Sequence, residues 1–203
     1  FIGGALCAKL EREGRAVARV VRRLEGPGAD RRIVPDLSQV DALAHAFRGA
    51  GAVVHLAARA HVLRETESDP VAAFARANVE GTANVAEAAA RAGLRRVVLL
   101  SSIGVNGAST YGTPFTELQP PAPAEAYAAS KLEAERRLRA IALQHSLEFV
   151  IIRPPMVHGP GVKGNLRRLI ALVNSGIPLP FASLENRRSL IGVENLSDLI
   201  AIC

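Results

Sequence analysis

Five short apolar runs, at 16–21, 32–35, 53–56, 97–101 and 148–153, recur along this chain with helical patterns between them. The runs hold their apolar residues side by side rather than alternating them with polar ones. Strands of that kind are buried on both faces. Their alternation with helices at 40–47, 71–92 and 125–145 predicts an α/β fold with a parallel sheet covered on both sides. Helix punctuation agrees at 71–92: Asp69 can cap the start, Pro70 suits a first turn, and Gly93 stands where the helix ends. A further apolar-periodic helix runs from the opening residues to about Glu13 with no strand before it, and the residues from Leu196 to Cys203 read as a helix still under way. The expectation is therefore a doubly wound sheet truncated at both ends. After Pro154 the chain turns rich in Pro and Gly, and 154–203 is expected to begin a smaller, loop-rich substrate-binding part.

The 203 residues carry 25 Lys+Arg against 19 Asp+Glu, a net charge of +6. Only Lys9, Lys131 and Lys163 are lysines, and the arginines are scattered rather than gathered into a stripe. With six Phe, two Tyr and no Trp there is little surface on which bases could stack, so nucleic-acid binding is not expected. No apolar run approaches the ~20 residues of a membrane span. Two cysteines, Cys7 and Cys203, form neither a disulfide framework nor a metal-binding spacing, and a reduced, cytoplasmic setting is expected, with no metal.

Ligands of doubly wound sheets sit beyond the carboxyl ends of the strands. Read there, the sequence offers Arg22 and Arg23, Asp36 and Leu37, His55 to Ala58, Ser101 and Ser102, and Arg153 to Pro155. The most specific local pattern is Tyr127-Ala-Ala-Ser-Lys131. Residues four apart on a helix share a face, ~5–6 Å apart at Cβ. An ammonium there is expected to favour the phenolate and lower the Tyr127 pKa from ~10, making it a usable acid/base. The same spacing also occurs as a plain surface pair, and Ser102 could be no more than a turn cap. Their conjunction, in this order, points to catalysis. Gly3 at the opening of the first helix would let backbone approach a pyrophosphate, or simply allow close packing.

Taken together the motifs resemble the extended short-chain dehydrogenase/reductases, the NAD-dependent epimerase/dehydratase family, and within it the nucleotide-sugar 4-epimerases and 4-reductases. Phe1-Ile2-Gly3 resembles the end of the family's glycine-rich dinucleotide loop, and Asp36-Leu37 its adenine contact. His55-Leu56-Ala57-Ala58 is similar to the loop that runs along the cofactor. Asn78-Val79-Glu80-Gly81-Thr82 is similar to an N-V-x-G-T helix motif, and Ser101 to Gly107 to S-S-x-x-V-Y-G. Pro114-Phe115-Thr116-Glu117, Tyr127 to Lys131, and Arg153-Pro154-Pro155 with Gly159-Pro160-Gly161 complete the series. The patterns Val62-Leu63-Arg64-Glu65 and Asn186-Arg187-Arg188-Ser189 are similar to bacterial enzymes of surface-polysaccharide synthesis that act on UDP-N-acetyl sugars.

The resemblance implies a Rossmann-like cofactor domain over 1–153 that lacks its first strand, and the beginning of a nucleotide-sugar region over 154–203. It implies catalysis by Ser102, Tyr127 and Lys131. Cofactor contacts would come from Phe1, Ile2, Gly3, Arg22, Asp36, Leu37, Leu56, Ala57, Ala58, Asn78, Tyr127, Lys131 and Pro154. Substrate contacts would come from Ser102, Asn165 and Arg188. Asn78 would order a helix bend or a water relay, or merely hold an internal hydrogen bond. The cofactor implied is NAD, with NADP open because Arg22-Arg23 could accommodate a 2′-phosphate. The implied reaction is 4-epimerisation of a UDP-hexose or UDP-N-acetylhexosamine through a 4-keto sugar. A 4-keto-sugar reductase or dehydrogenase shares the same residues, and a redox-silent NAD(P)-binding regulator is the third possibility. A homodimer is implied through helices 71–92 and 125–145, whose Ala-rich stretches at 86–90 and 126–129 would admit close approach.

Departures from the pattern carry information. Asn106 replaces the usual Tyr, and Met156 stands where epimerases have Asn. Ser102-Ile103-Gly104 stands where the 4,6-dehydratases carry Thr-Asp-Glu, so elimination of water is not expected. Without a central strand and the leading glycines of the loop, residues 1–203 alone are expected to bind NAD poorly and to turn over no substrate.

Overall fold

In the computed structural model of the chain, residues 1–23, 30–60, 67–110, 112–162, 164–176 and 187–203 are described. The first half runs α1 (Ile2–Arg12), β1 (Arg19–Val21), β2 (Arg31–Ile33), α2 (Val40–Phe47), β3 (Ala52–His55) and α3 (Pro70–Phe74). A π-helical turn (Ala75–Glu80) joins α3 to α4 (Gly81–Arg91). Then come β4 (Arg96–Leu100), a 3-10 turn (Ile103–Val105), α5 (Ala126–Gln144), β5 (Glu148–Ile152), β6 (Met156–His158), α6 (Gly164–Asn174), β7 (Leu190–Gly192) and α7 (Val193–Ile202).

Every ladder among the described residues is parallel. β3–β4–β5 form one sheet, β1–β2 a second and β6–β7 a third. The central sheet is covered on both faces, as its unalternating strands predict. Val97 and Leu99 face Leu43, Phe47, Val85, Leu138 and Ile141 of α2, α4 and α5. Val98 and Ile152, on the other side, pack with Leu6 of α1 and with Leu196 and Ile200 of α7. Among the described residues no ladder joins β1 to β3, so the sheet is interrupted where the doubly wound order would run through its centre.

Three expectations change in detail. The run at 16–21 is a strand only over its last three residues. Helix 71–92 is not one α-helix. Its Asp69 cap is present, accepting from the Ala72 N–H at 3.0 Å, but the ladder slips by a residue at 75–80 before resuming. The small residues expected to meet a second copy mostly face inward: Ala86, Ala88, Ala89 and Ala128 are buried within this chain. Only Ala126 and Ala129 of these stretches are exposed. Among the described residues no helix is long and apolar enough to cross a membrane, and no cluster of His, Cys, Asp or Glu could hold a metal ion.

Candidate active site at the carboxyl ends of the central strands

The ends of β3, β4 and β5 lead into one neighbourhood with the first turns of α5. Ser101 N–H donates to Ile152 O at 2.7 Å, and Ile103 N–H donates to Pro154 O at 3.0 Å. The segment after β4 is thereby tied to the segment after β5. A side chain at Gly104 would lie 3.3 Å from Ala128 Cβ, so the 3-10 turn sits directly against the residue after Tyr127. The turn that Ser102 caps therefore lies against the first turn of α5, which carries Tyr127.

Ser102 is the cap of the turn, its Oγ accepting from the Gly104 N–H at 3.2 Å. The hydroxyl keeps its own proton to donate. Ser101 turns the other way and donates to Glu135 Oε1 at 2.5 Å. The Tyr127 ring packs against Phe74 with centroids 6.1 Å apart, and the Arg59 guanidinium lies 5.6 Å from the Phe74 ring centroid.

Lys131 is 1% exposed. Burial lowers its pKa to about 8, and the charge of Glu135 opposes that shift. The expected effect of Lys131 on Tyr127 is corrected by the fold. Burial pushes the Tyr127 pKa up, not down, because the phenolate loses its water in the fold. His55, at the end of β3, is also fully buried. Its pKa falls to about 3, first through burial and then through the charge of Lys131, so it is a neutral imidazole. His55 Nε2 finds no partner among the described residues.

Asn78 is the pivot of the π turn and both alternatives stated for it hold in part: it marks a bend and makes internal bonds. Its Oδ1 accepts from Arg59 N–H at 2.8 Å, and its Nδ2 donates to Arg59 O at 3.2 Å and Ser130 Oγ at 2.9 Å. Ser130 Oγ in turn donates to Tyr127 O at 2.7 Å. The loop after β3 is thus laced to the helix that carries Tyr127 and Lys131.

The remaining candidate residues lie at the start of α1 and after the strands. Phe1 and Gly3 open α1, which has no side-chain cap and no acidic residue in its first turn, leaving its N–H groups for an anion. Ile2 packs in the core behind it, and Leu56 lies 3.5 Å from where a Gly3 Cβ would be. Ala57 and Ala58 are exposed, and Pro154 is buried. Exposed Asp36 accepts from the Ser38 N–H at 2.8 Å, a bond that lowers its pKa, with Arg22 acting in the same direction. Leu37 covers Gly81, where a Cβ would come within 3.1 Å. An open cavity of ≈ 580 Å³ is lined by Arg19, Val21, Arg22, Arg23 and Arg31 at the end of β1. Arg188 is exposed. The side chain of Asn165 lies outside the described residues, as do Val62, Leu63, Arg64, Glu65 and Asn186.

Glu135, and the partner it gives Arg153, are absent from the sequence-based set. Glu135 and Arg153 form a buried ion pair, Arg153 Nη2 to Glu135 Oε2 at 2.6 Å. The available signals are the four-residue step from Lys131 to Glu135 and a cation ending an apolar strand.

The sequence pattern of the NAD dependent epimerase/dehydratase family matches residues 1–202. A UDP-glucose 4-epimerase of Vibrio cholerae is 48% identical over 153 residues, which cover 74% of this chain and 47% of that protein. MoeE5 in complex with UDP-glucose and NAD superposes with a TM-score of 0.82 at 30% identity, over 100% of this chain and 68% of that one. The Thermus thermophilus UDP-glucose 4-epimerase in complex with NAD gives 0.81 at 26% identity, over 100% and 70%. The chain spans about half the length of the curated relatives it matches.

Proposed function

Because the chain belongs to the NAD dependent epimerase/dehydratase family, we propose that it serves an NAD-dependent 4-epimerase of a UDP-hexose or UDP-N-acetylhexosamine. The observation that carries the reading is Lys131: a side chain 1% exposed, one turn from Tyr127 on α5. An ammonium so buried is costly unless it is paired and hydrogen-bonded, and a pair of ribose hydroxyls fits. The open N-terminus of α1 suits a pyrophosphate. MoeE5 and the Thermus epimerase are both complexes with NAD, which supports that cofactor.

Bound NAD would supply reversible hydride exchange at the sugar C4, together with a positively charged ring beside the phenol. Tyr127 Oη would take the proton of O4 as C4 becomes a ketone. It would return that proton when the ketone is reduced on its opposite face. Burial favours the phenol of Tyr127 in the ligand-free chain, so its proton would leave before Oη accepts the one on O4, and the phenol so formed would return it to the ketone oxygen. Ser102 would donate its free proton to the same oxygen, and Lys131 would hold the ribose and favour the phenolate that accepts the O4 proton. Gly3, Leu56, Ala57, Ala58, Asn78 and Pro154 would line the cofactor path, with Asp36, Leu37 and Arg22 at its adenosine end. Asn165 and Arg188 would meet the diphosphate of the sugar nucleotide.

A 4-keto-sugar reductase would use the same residues. The presence of both Tyr127 and Lys131 argues against a redox-silent regulator. A cytoplasmic homodimer acting in polysaccharide synthesis accords with the reading. In the protein at its natural length, Tyr127→Phe should lower kcat by ~10²–10⁴-fold or more while leaving NAD affinity nearly intact. Retention of more than about a tenth of wild-type kcat would reject Tyr127 as the acid/base.

A further inference from the structure

Glu135 lies four residues after Lys131 on α5, on the same face, and is 1% exposed. Its Oε1 accepts from Ser101 Oγ at 2.5 Å and from Arg153 Nε at 2.9 Å, and its Oε2 accepts from Arg153 Nη2 at 2.6 Å. Arg153 Nη1 donates to Asn106 Oδ1 at 3.0 Å, and Asn106 Nδ2 donates to Thr116 O at 3.0 Å. One carboxylate therefore joins α5, the end of β4 and the end of β5. A buried ion pair adds little stability over a well-packed apolar substitute, so stability alone does not account for it. Its position does: Ser101 precedes Ser102, Arg153 precedes Pro154, and Lys131 shares the helix turn.

We infer that Glu135, clamped by Arg153, is a positioning residue that holds the α5 turn carrying Lys131 against the strand ends that lead into Ser102 and Pro154. The inference rests on the roles given above to Lys131 and Ser102. Among the described residues, Lys131 acts with His55 and Glu135, and Tyr127 and Arg153 flank that set. From β3 comes His55, which is neutral. From α5 come Glu135 and Tyr127, and Tyr127 is a phenol. From the end of β5 comes Arg153, whose bonds to Glu135 keep it charged. Glu135 is thus the anion that offsets burial of the ammonium, and Arg153 dilutes that anion. Removing either should move Lys131 in opposite directions.

The test is a pH titration of lysine ¹³Cε resonances in the whole chain. With three lysines in the sequence the spectrum is simple to assign, and exposed Lys9–Glu13 and Lys9–Asp198 contacts give a reference resonance. Wild-type Lys131 should titrate near pH 8, well below Lys9. Glu135→Gln should lower the midpoint by at least half a pH unit, and Arg153→Met should raise it, with Lys9 unmoved in both. The Ser102 amide resonance should shift in Glu135→Gln. Should that variant not fold, the double variant Glu135→Gln/Arg153→Met removes both buried charges and should still titrate below wild type. Midpoints that stay put, or that move in the same direction in Glu135→Gln and Arg153→Met, would overturn the inference. NAD titration of the protein at its natural length tests the site reading separately. Opposite shifts without NAD binding would reject the cofactor role and keep the coupling, whereas NAD binding without the shifts would do the reverse.

Discussion

At the scale of single residues, burial decides the chemistry more than sequence spacing does. Tyr127, Lys131 and Ser102 were legible because a Tyr and a Lys on one helix face, following a strand that ends in Ser-Ser, form a specific signature. The direction of the Tyr127 shift was not legible, because it depends on how much of the ring the fold removes from water. Glu135, and its pairing with Arg153, were missed for a related reason: the two are 18 residues apart and meet only when β5 and α5 pack. His55 gives a pH prediction whose sign follows from the same burial. Its folded pKa, about 3, lies below the ordinary 6.5. The unfolded chain therefore binds the extra proton between those values, and folding stability is complete above about pH 6.5 and lost as pH falls toward 3. The loss from this one site approaches ~1.4 kcal/mol per pH unit in mid-window. Urea unfolding of His55→Asn against wild type between pH 7 and 4 should show a slope shallower by about one proton. Equal slopes would mean that His55 is charged, or solvated, in the fold.

At the scale of elements, the largest departure from expectation is the helix at 71–92. Periodicity and caps fix where it starts and ends, but nothing in a 3.6-residue pattern announces a π turn. The turn becomes intelligible through Asn78, whose side chain leaves the helix to bond Arg59 and Ser130 while its carbonyl accepts from Thr82 Oγ1 at 2.6 Å. Asn78→Ala strips these side-chain bonds from the Arg59 N–H and C=O. With ~1–3 kcal/mol for each buried group so orphaned, a loss of about 2–4 kcal/mol in urea unfolding is expected. A loss under ~0.5 kcal/mol, the range of an inconsequential surface change, would show that the bend is held by other contacts. Gly159, between β6 and α6, is a second element-scale constraint. Its φ is +147°, and an added Cβ would come within 2.6 Å of Val193 Cγ1 at the start of α7. Gly159→Ala should therefore cost ~1–3 kcal/mol through strain and overpacking together. Gly14, with nothing within 4 Å, should feel only its backbone conformation.

For the whole molecule, the parallel α/β architecture was the most readable property, since unalternating apolar strands can be buried only by helices on both faces. The central strands carry that arrangement, with α2, α4 and α5 on one side and α1 and α7 on the other. The β1–β2 ladder stands apart from β3–β4–β5, the interruption expected at the centre of the doubly wound order. What the assembled molecule does is the central claim: hydride leaves and returns to the sugar C4, while Tyr127 carries the proton on O4. The most direct measurement uses UDP-glucose and UDP-N-acetylglucosamine deuterated at C4, with the protein at its natural length and wild-type and Tyr127→Phe samples in parallel. The account predicts that the wild type converts at least one of them to its 4-epimer with the deuterium still at C4, and that Tyr127→Phe forms neither epimer at a comparable rate. Failure of the wild type to epimerise either sugar nucleotide, or an epimer that has lost its label to solvent, would contradict it.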